Sequence, residues 1–329
     1  MFSIFSTHVL PAHVKRYLTD FAEVTEWNKG IPIDSDELAR AAAHADGIIT
    51  PGGTPFGEAL IQQLPKLRAI STISVGYDHF DPAAFRRHNI MATHTPEVLD
   101  ETVADLTFAL MLSVARRIAE LDKLVRDGRW GEQPGSASFG IDVHHRTLGI
   151  VGMGRIGEAV AKRAKHGFGM NVLYHNRTRK PAVEQELGAT YVSFEELLEI
   201  ADFVVLLTPL TPATKGLMDA QAFARMKSSA IFINVSRGAT VDEQALYEAL
   251  STGAIYGAGL DVFQEEPVPV DHPLLSLRNV VLVPHIGSAT AKTREDMAML
   301  AAQNLIAVLE GRARDAKVIP ELQDIVKES

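Results

Sequence analysis

The stretch TLGIVGMGRIG, Thr147 to Gly157, leaves little freedom to the fold around it. A short apolar run ends in Gly152-x-Gly154-x-x-Gly157, and a helix-like pattern opens directly behind. In a parallel α/β sheet such a turn carries a dinucleotide. Gly152 permits the sharp bend, Gly154 lets the main chain approach the pyrophosphate, and Gly157 allows close packing of helix on strand. The diphosphate then rests on the amides of the helix N-terminus. Three glycines alone would equally suit a structural turn. The strand before, the helix behind and the alternating strands that follow favour a dinucleotide pocket.

At 329 residues the chain exceeds one ordinary core and suggests two domains. Apolar runs at 47–50 (GIIT), 67–75 (LRAISTISV) and 90–95 (IMATHT) alternate with helical stretches, and MFSIFSTHVL reads as a first strand. This is the pattern of a small flavodoxin-like unit. From Thr147 the rhythm becomes regular, with strands expected at 148–153, 171–175, 203–207, 230–235, 256–262 and 280–284. Near-continuous apolar strands separated by helices mean a parallel sheet covered on both faces. The fold expected is α/β with two domains, a doubly wound Rossmann-type sheet inserted into the smaller flavodoxin-like unit. A last helix, about 291–310, should pack back on the first domain.

Between the two patterns runs a helical spacing over about 100–127, with Leu106, Leu110, Val114, Ile118, Leu121 and Val125 on one stripe and Gly128 as a stop. As one helix it would extend roughly 40 Å, enough to cross between domains or line a dimer interface. An ordinary core helix fits the periodicity as well. The following GRWGEQPGSASFGIDVHHR reads as a loop or arm, with Trp130 as its anchor. His144 and His145 make no metal pair if they lie on a strand, where neighbours face opposite ways. Glu184 to Glu186 read as solvated helix surface, and Met297 and Met299 as packing.

The net charge of −9 argues against a general nucleic-acid or anionic-membrane binder, because such partners reward a basic face. The absence of cysteine removes disulfides, thiolate metal sites and cysteine nucleophiles, and suits a cytoplasm. The N-terminus lacks the charged region of a signal peptide, and no apolar run has the length of a membrane helix.

A carboxylate for the adenosine ribose is expected about 20 residues beyond the glycines. Here the chain reads YHNRTRK, Tyr174 to Lys180, with cations where that acid should stand. Asn176 removes the repulsion toward an extra 2′-phosphate, Arg177 offers a fork of donors, and Thr178 adds a hydroxyl. That pattern favours NADP (NADPH), with NAD as the weaker alternative. A solvated basic loop is the bland reading, above all for Arg179 and Lys180.

Three further segments sit at strand ends: NVSRG with Arg237, GLDVFQEEP with Asp261 and Glu266, and VPHIGSAT with His285. Open α/β sheets bind ligands at such ends. What singles out His285 is its company: a cation for a carboxylate, an acid to tune an imidazole, and a dinucleotide on one sheet. The order GMGRIG, NVSRG, GLDVFQEEP, PHIGSAT resembles the D-isomer-specific 2-hydroxyacid dehydrogenase family over essentially the whole chain. STISVGYDHFD, DVHHRTLGIVGMGRIG and MKSSAIFINVSRG are most similar to its bacterial glyoxylate/hydroxypyruvate and 2-ketogluconate reductase branch.

The resemblance implies that Arg237 binds the substrate's carboxylate and carbonyl, that His285 is the acid/base, and that Glu266 orients the imidazole and raises its pKa. It implies that the amides of Val75 and Gly76 take the substrate carboxylate, and that Asp261 meets the nicotinamide carboxamide. Thr102 and the Pro209 loop would line the cofactor, and Arg155 and Ile156 would contact the pyrophosphate. Residues 1–99 with 289–329 would form the substrate-binding domain, and 100–288 the NAD(P)-binding domain with its dimerisation helix and arm. A homodimer acting on a small 2-keto acid is the expected assembly. The rivals are another D-2-hydroxyacid or phosphite dehydrogenase, and a dinucleotide-sensing corepressor. A formate dehydrogenase would carry an amide where this chain has Glu266.

Overall fold

Strands form where short β-branched and aliphatic runs are flanked by turns, and the computed structural model, which describes residues 1–132 and 135–328, arranges them in two parallel sheets. The smaller contains β1 (Phe2–Ser6), β2 (Ala22–Glu26), β3 (Gly47–Thr50), β4 (Ala69–Thr72) and β5 (Met91–Thr93), in the order β2-β1-β3-β4-β5. That is the flavodoxin-like order. The larger contains β6 (Thr147–Val151), β7 (Asn171–His175), β8 (Thr190–Tyr191), β9 (Phe203–Leu206), β10 (Ile231–Asn234), β11 (Gly257–Leu260) and β12 (Val280–Leu282). Its order, β12-β11-β10-β9-β6-β7-β8, is the Rossmann order with one strand added. The chain divides into two compact units, 1–99 with 289–329 and 100–288.

In the smaller unit the central strands β3 and β4 are wholly buried, and helix Ala291–Leu309 packs on β3, β4 and β5. That helix turns Met297 and Leu305 into the core and ends at Gly311, whose φ of 77° no other residue adopts cheaply. In the larger unit β9, β10 and β11 are buried along their whole length. Each buried Val, Ile, Leu or Phe side chain there contributes about 1.5–3 kcal/mol. Helix Arg155–Phe168 covers one face through Ala159, Val160 and Ala164. Helix Asp100–Ala115 packs on β10, β11 and β12.

Two strands carry no signal of their own in the sequence. β2 alternates buried and accessible residues at a sheet edge, and β8 is a two-residue exposed edge. The single helix expected over 100–127 is in fact two, Asp100–Ala115 and Ile118–Arg126. Arg117 takes a left-handed conformation, φ 55°, and the Ala115 carbonyl accepts from Ile141 of the arm instead of from the next helical turn. Bidentate pairing of Arg117 with Glu120, 2.8 Å on each side, starts the second helix.

The expected arm begins after that helix, and Gln133 and Pro134 within it lie outside the described residues. Trp130, the expected anchor, is 84% exposed and is not packed as one among the described residues. His144 and His145 lie in a turn rather than on a strand, with their Nδ1 atoms 2.8 Å apart. Glu184 is not solvated surface: it holds Tyr174 and Arg179, as described below.

Candidate active site

The glycine turn leaves β6 at the point where the strand order reverses, next to the end of β9. Gly152 has φ 107°, and a side chain there would lie 2.8 Å from the Leu207 carbonyl carbon. Only glycine meets both demands. A side chain on Gly157 would lie 2.6 Å from the Gly152 oxygen, so the helix sits hard against the turn. Gly154 differs, because nothing lies within 4 Å of where its side chain would point. It starts helix Arg155–Phe168 without a side-chain cap, which leaves first-turn amides such as those of Ile156 and Gly157 open to an anion. Main chain that is bare at Gly154 and tight at Gly152 suits a pyrophosphate. Arg155 is turned partly aside, 3.3 Å from Asp100.

Thr102 lies on the first turn of helix Asp100–Ala115, and Pro209 follows β9, where its carbonyl accepts from the Thr214 hydroxyl. Beyond β7, the expected phosphate loop is braced from below. The buried Tyr174 hydroxyl donates to Glu184 at 2.6 Å and accepts from the Lys180 amide at 2.7 Å. Arg179 pairs with both oxygens of Glu184, each at 2.7 Å, and Lys180 lies 3.7 Å from Glu158. Asn176 donates to the Thr178 carbonyl at 2.9 Å, and Tyr191 donates to the Asn176 carbonyl. Arg177 alone of the three cations makes no ion pair among the described residues. Hydrogen bonds from Arg179 and then Tyr174 hold the Glu184 carboxyl below its ordinary range.

At the other side of the sheet, β10, β11 and β12 deliver Arg237, Asp261 with Glu266, and His285. Glu266 bridges two partners: one oxygen accepts from the Phe263 amide at 2.9 Å, the other meets His285 Nδ1 at 2.7 Å. Partial burial opposes its charge, but His285, the Phe263 amide and the charge of Arg237 prevail and hold the carboxyl below its ordinary range. The Nδ1 contact leaves Nε2 as the ring nitrogen that Glu266 does not engage, on a ring that is 48% exposed. His285 itself sits at φ 52°, a left-handed backbone that costs about 1–3 kcal/mol outside glycine.

Asp261 holds that conformation in place. Its two oxygens accept from the amides of Ile286, 2.6 Å, and Gly287, 2.9 Å. Burial pushes its carboxyl up, against those two amides and the imidazole. The expected contact of Asp261 with a carboxamide therefore shares the carboxylate with a structural task that spacing alone does not reveal. The main chain next to Arg237 is set by close packing instead, since a side chain on Gly238 would collide with the Phe263 carbonyl carbon at 1.8 Å. In the sequence Gly238 and Gly287 stand inside NVSRG and VPHIGSAT and are legible there only as ordinary glycines.

Val75 and Gly76 follow β4 in the smaller unit. Their carbonyls are occupied, by His94 Nδ1 at 2.9 Å and by the Ser74 hydroxyl at 2.7 Å. Their amides carry no hydrogen bond among the described residues. No group of three or more His, Cys, Asp or Glu among the described residues could hold a metal ion. No helix among them is long and apolar enough to cross a membrane.

A Rossmann sheet with a bare glycine turn at its switch point and an imidazole–carboxylate pair at its edge defines an oxidoreductase that uses a nicotinamide dinucleotide. Residues 108–287 match the family model for the D-isomer specific 2-hydroxyacid dehydrogenase NAD-binding domain, and the chain belongs to that family. It is 49% identical over 320 residues to glyoxylate/hydroxypyruvate reductase B of Citrobacter koseri, covering 97% of this chain and 98% of that one. Among solved structures it superimposes on a protein of Thermus thermophilus with a TM-score of 0.89, at 45% identity and with 96% and 99% of the two chains covered. A Sinorhizobium meliloti NADPH-dependent glyoxylate/hydroxypyruvate reductase, solved with NADP and malonate, gives 0.86 at 32% identity, with 97% of each chain covered.

Proposed function

We propose that this chain is a cytoplasmic, homodimeric, NADPH-preferring reductase that converts a small 2-keto acid to the D-2-hydroxy acid. Glyoxylate and hydroxypyruvate are the foremost substrates, and 2-ketogluconate is the third. The observation that carries the reading is the 2.7 Å Glu266–His285 pair at the edge of a dinucleotide sheet. The names of the Citrobacter and Sinorhizobium relatives support the same substrates, and the second supports the cofactor.

In this reading the amides of Arg155, Ile156 and Gly157 hold the pyrophosphate, and Gly152 and Gly154, whose own amides donate to the His175 and Gly152 carbonyls, shape the turn it rests on. Thr102, Pro209 and Asp261 line the rest of the dinucleotide, and Asn176, Arg177 and Thr178 receive a 2′-phosphate. NAD serves as a weaker alternative. When bound, the nicotinamide supplies the hydride that reduces the keto carbon. Arg237 holds the substrate carboxylate and polarises its carbonyl. In the smaller unit the amides of Val75 and Gly76 are the candidates for a carboxylate. As charge grows on the carbonyl oxygen, His285 gives it the Nε2 proton. Glu266 keeps Nδ1 protonated, aims the ring and balances the imidazolium.

The homodimer is supported by apolar side chains that this chain leaves uncovered on helix Ile118–Arg126 and the arm: Ile118, Val125, Trp130 and Phe139. A sedimentation experiment that finds only monomer removes that part. The enzyme reading itself is tested by turnover of a panel of 2-keto acids with NADPH and NADH. Fastest turnover of glyoxylate or hydroxypyruvate with NADPH is the expected result. No turnover with any keto acid and either cofactor overturns it and returns the chain to a dinucleotide-sensing module.

A further inference from the structure

The phosphate loop after β7 is held by a buried group that no ligand would touch. Tyr174 is fully buried on β7, yet its hydroxyl joins two separate parts of the loop. It accepts from the Lys180 amide at 2.7 Å and donates to Glu184 at 2.6 Å, on the helix that follows. Glu184 in turn holds Arg179 in a two-point pair. On the outer side, Tyr191 donates to the Asn176 carbonyl and its ring stacks on His175, at 6.1 Å between centroids. The chain from 175 to 180 is therefore fastened at both ends, with Arg177 between the fastenings.

We infer that Tyr174, acting through the Lys180 amide and Glu184, is a positioning residue for cofactor choice: it withdraws Arg179 and sets Arg177 to meet a 2′-phosphate. The inference rests on the NADPH preference proposed above. Its physical basis is the cost of order. A long arginine on a loose loop gives up much of its binding energy when a ligand immobilises it, and a braced loop has already given up most of that freedom. A buried phenol with both functions satisfied also resists displacement, because moving it would leave its own hydroxyl and the Lys180 amide without their partners.

Binding calorimetry on the intact protein tests this without turnover. The probes are adenosine 2′,5′-bisphosphate and adenosine 5′-monophosphate, which differ by the phosphate in question. Tyr174→Phe should weaken the bisphosphate by about fivefold and leave the monophosphate within about twofold. In the Arg177→Ala background the same change should have almost no further effect on the bisphosphate, because its influence passes through Arg177. Should Tyr174→Phe not fold, Glu184→Ala on the following helix removes the carboxylate end of the brace and should also lower bisphosphate affinity. A rise instead, from a freed Arg179, would overturn the inference. So would an unchanged bisphosphate affinity in Tyr174→Phe while Arg177→Ala loses it selectively, a result that leaves the NADPH reading standing. If the native protein binds both probes equally, the NADPH reading fails and the inference falls with it.

Discussion

The two sides of the larger sheet handle charge in opposite ways. At the β12 side, Glu266 and His285 face each other at 2.7 Å with the ring still 48% exposed, so the pair is ordered and yet available. At the β7 side three cations lie within four residues, but Arg179 is committed to Glu184 and Lys180 lies toward Glu158. One cation remains for a ligand. Charges counted along a sequence are thus not the charges a site can use, and internal pairing decides the difference.

Substitutions on the two sides should separate accordingly. His285→Gln removes the proton and should lower reduction by roughly 10²–10⁴-fold while dinucleotide binding, measured by fluorescence or calorimetry, stays unchanged. Glu266→Gln keeps the shape and loses the charge, for an expected loss of roughly ten- to a hundredfold. Its pH profile carries more information than its rate. Because the native carboxyl lies below its ordinary range, the ionised pair persists through that range and is lost only as the pH falls below it. Glu266→Gln has no carboxyl to titrate and should lose that acid-side fall. Superimposable profiles for the two proteins would break the assignment.

On the β7 side the effects should be smaller and confined to one cofactor. Arg177→Ala should raise the Michaelis constant for NADPH by about tenfold and leave that for NADH nearly unchanged. Arg179→Ala should alter either constant by at most about threefold, since its guanidinium is occupied by Glu184. Equal losses in both variants would mean that the loop offers two cations, and the contrast between the two sides would weaken.

Much of this is legible in the sequence because the signals are local. Buried parallel strands appear as runs such as FVVL and IFIN, and the glycine turn appears as spacing. The edge strands β2 and β8 escape because an edge need not be apolar on both faces. The break at Arg117 escapes because the stripe Leu106 to Val125 keeps its helical period across it. The cause lies 24 residues on, in the Ile141 amide that takes the Ala115 carbonyl. In the candidate site the residues that carry charge are visible by type. Those that hold them, Asp261 for His285 and Tyr174 for the loop after β7, act through main-chain amides, which a sequence does not display.

The packing of Gly238 against the Phe263 carbonyl bears on redesign of the pocket. Because no side-chain atom separates the two backbones, the spacing between Arg237 and Glu266 belongs to a pair of main-chain segments rather than to either residue. Segments 236–240 and 261–267 therefore behave as one replaceable module. A transplant of either alone into another scaffold would carry the right residues and lose their register.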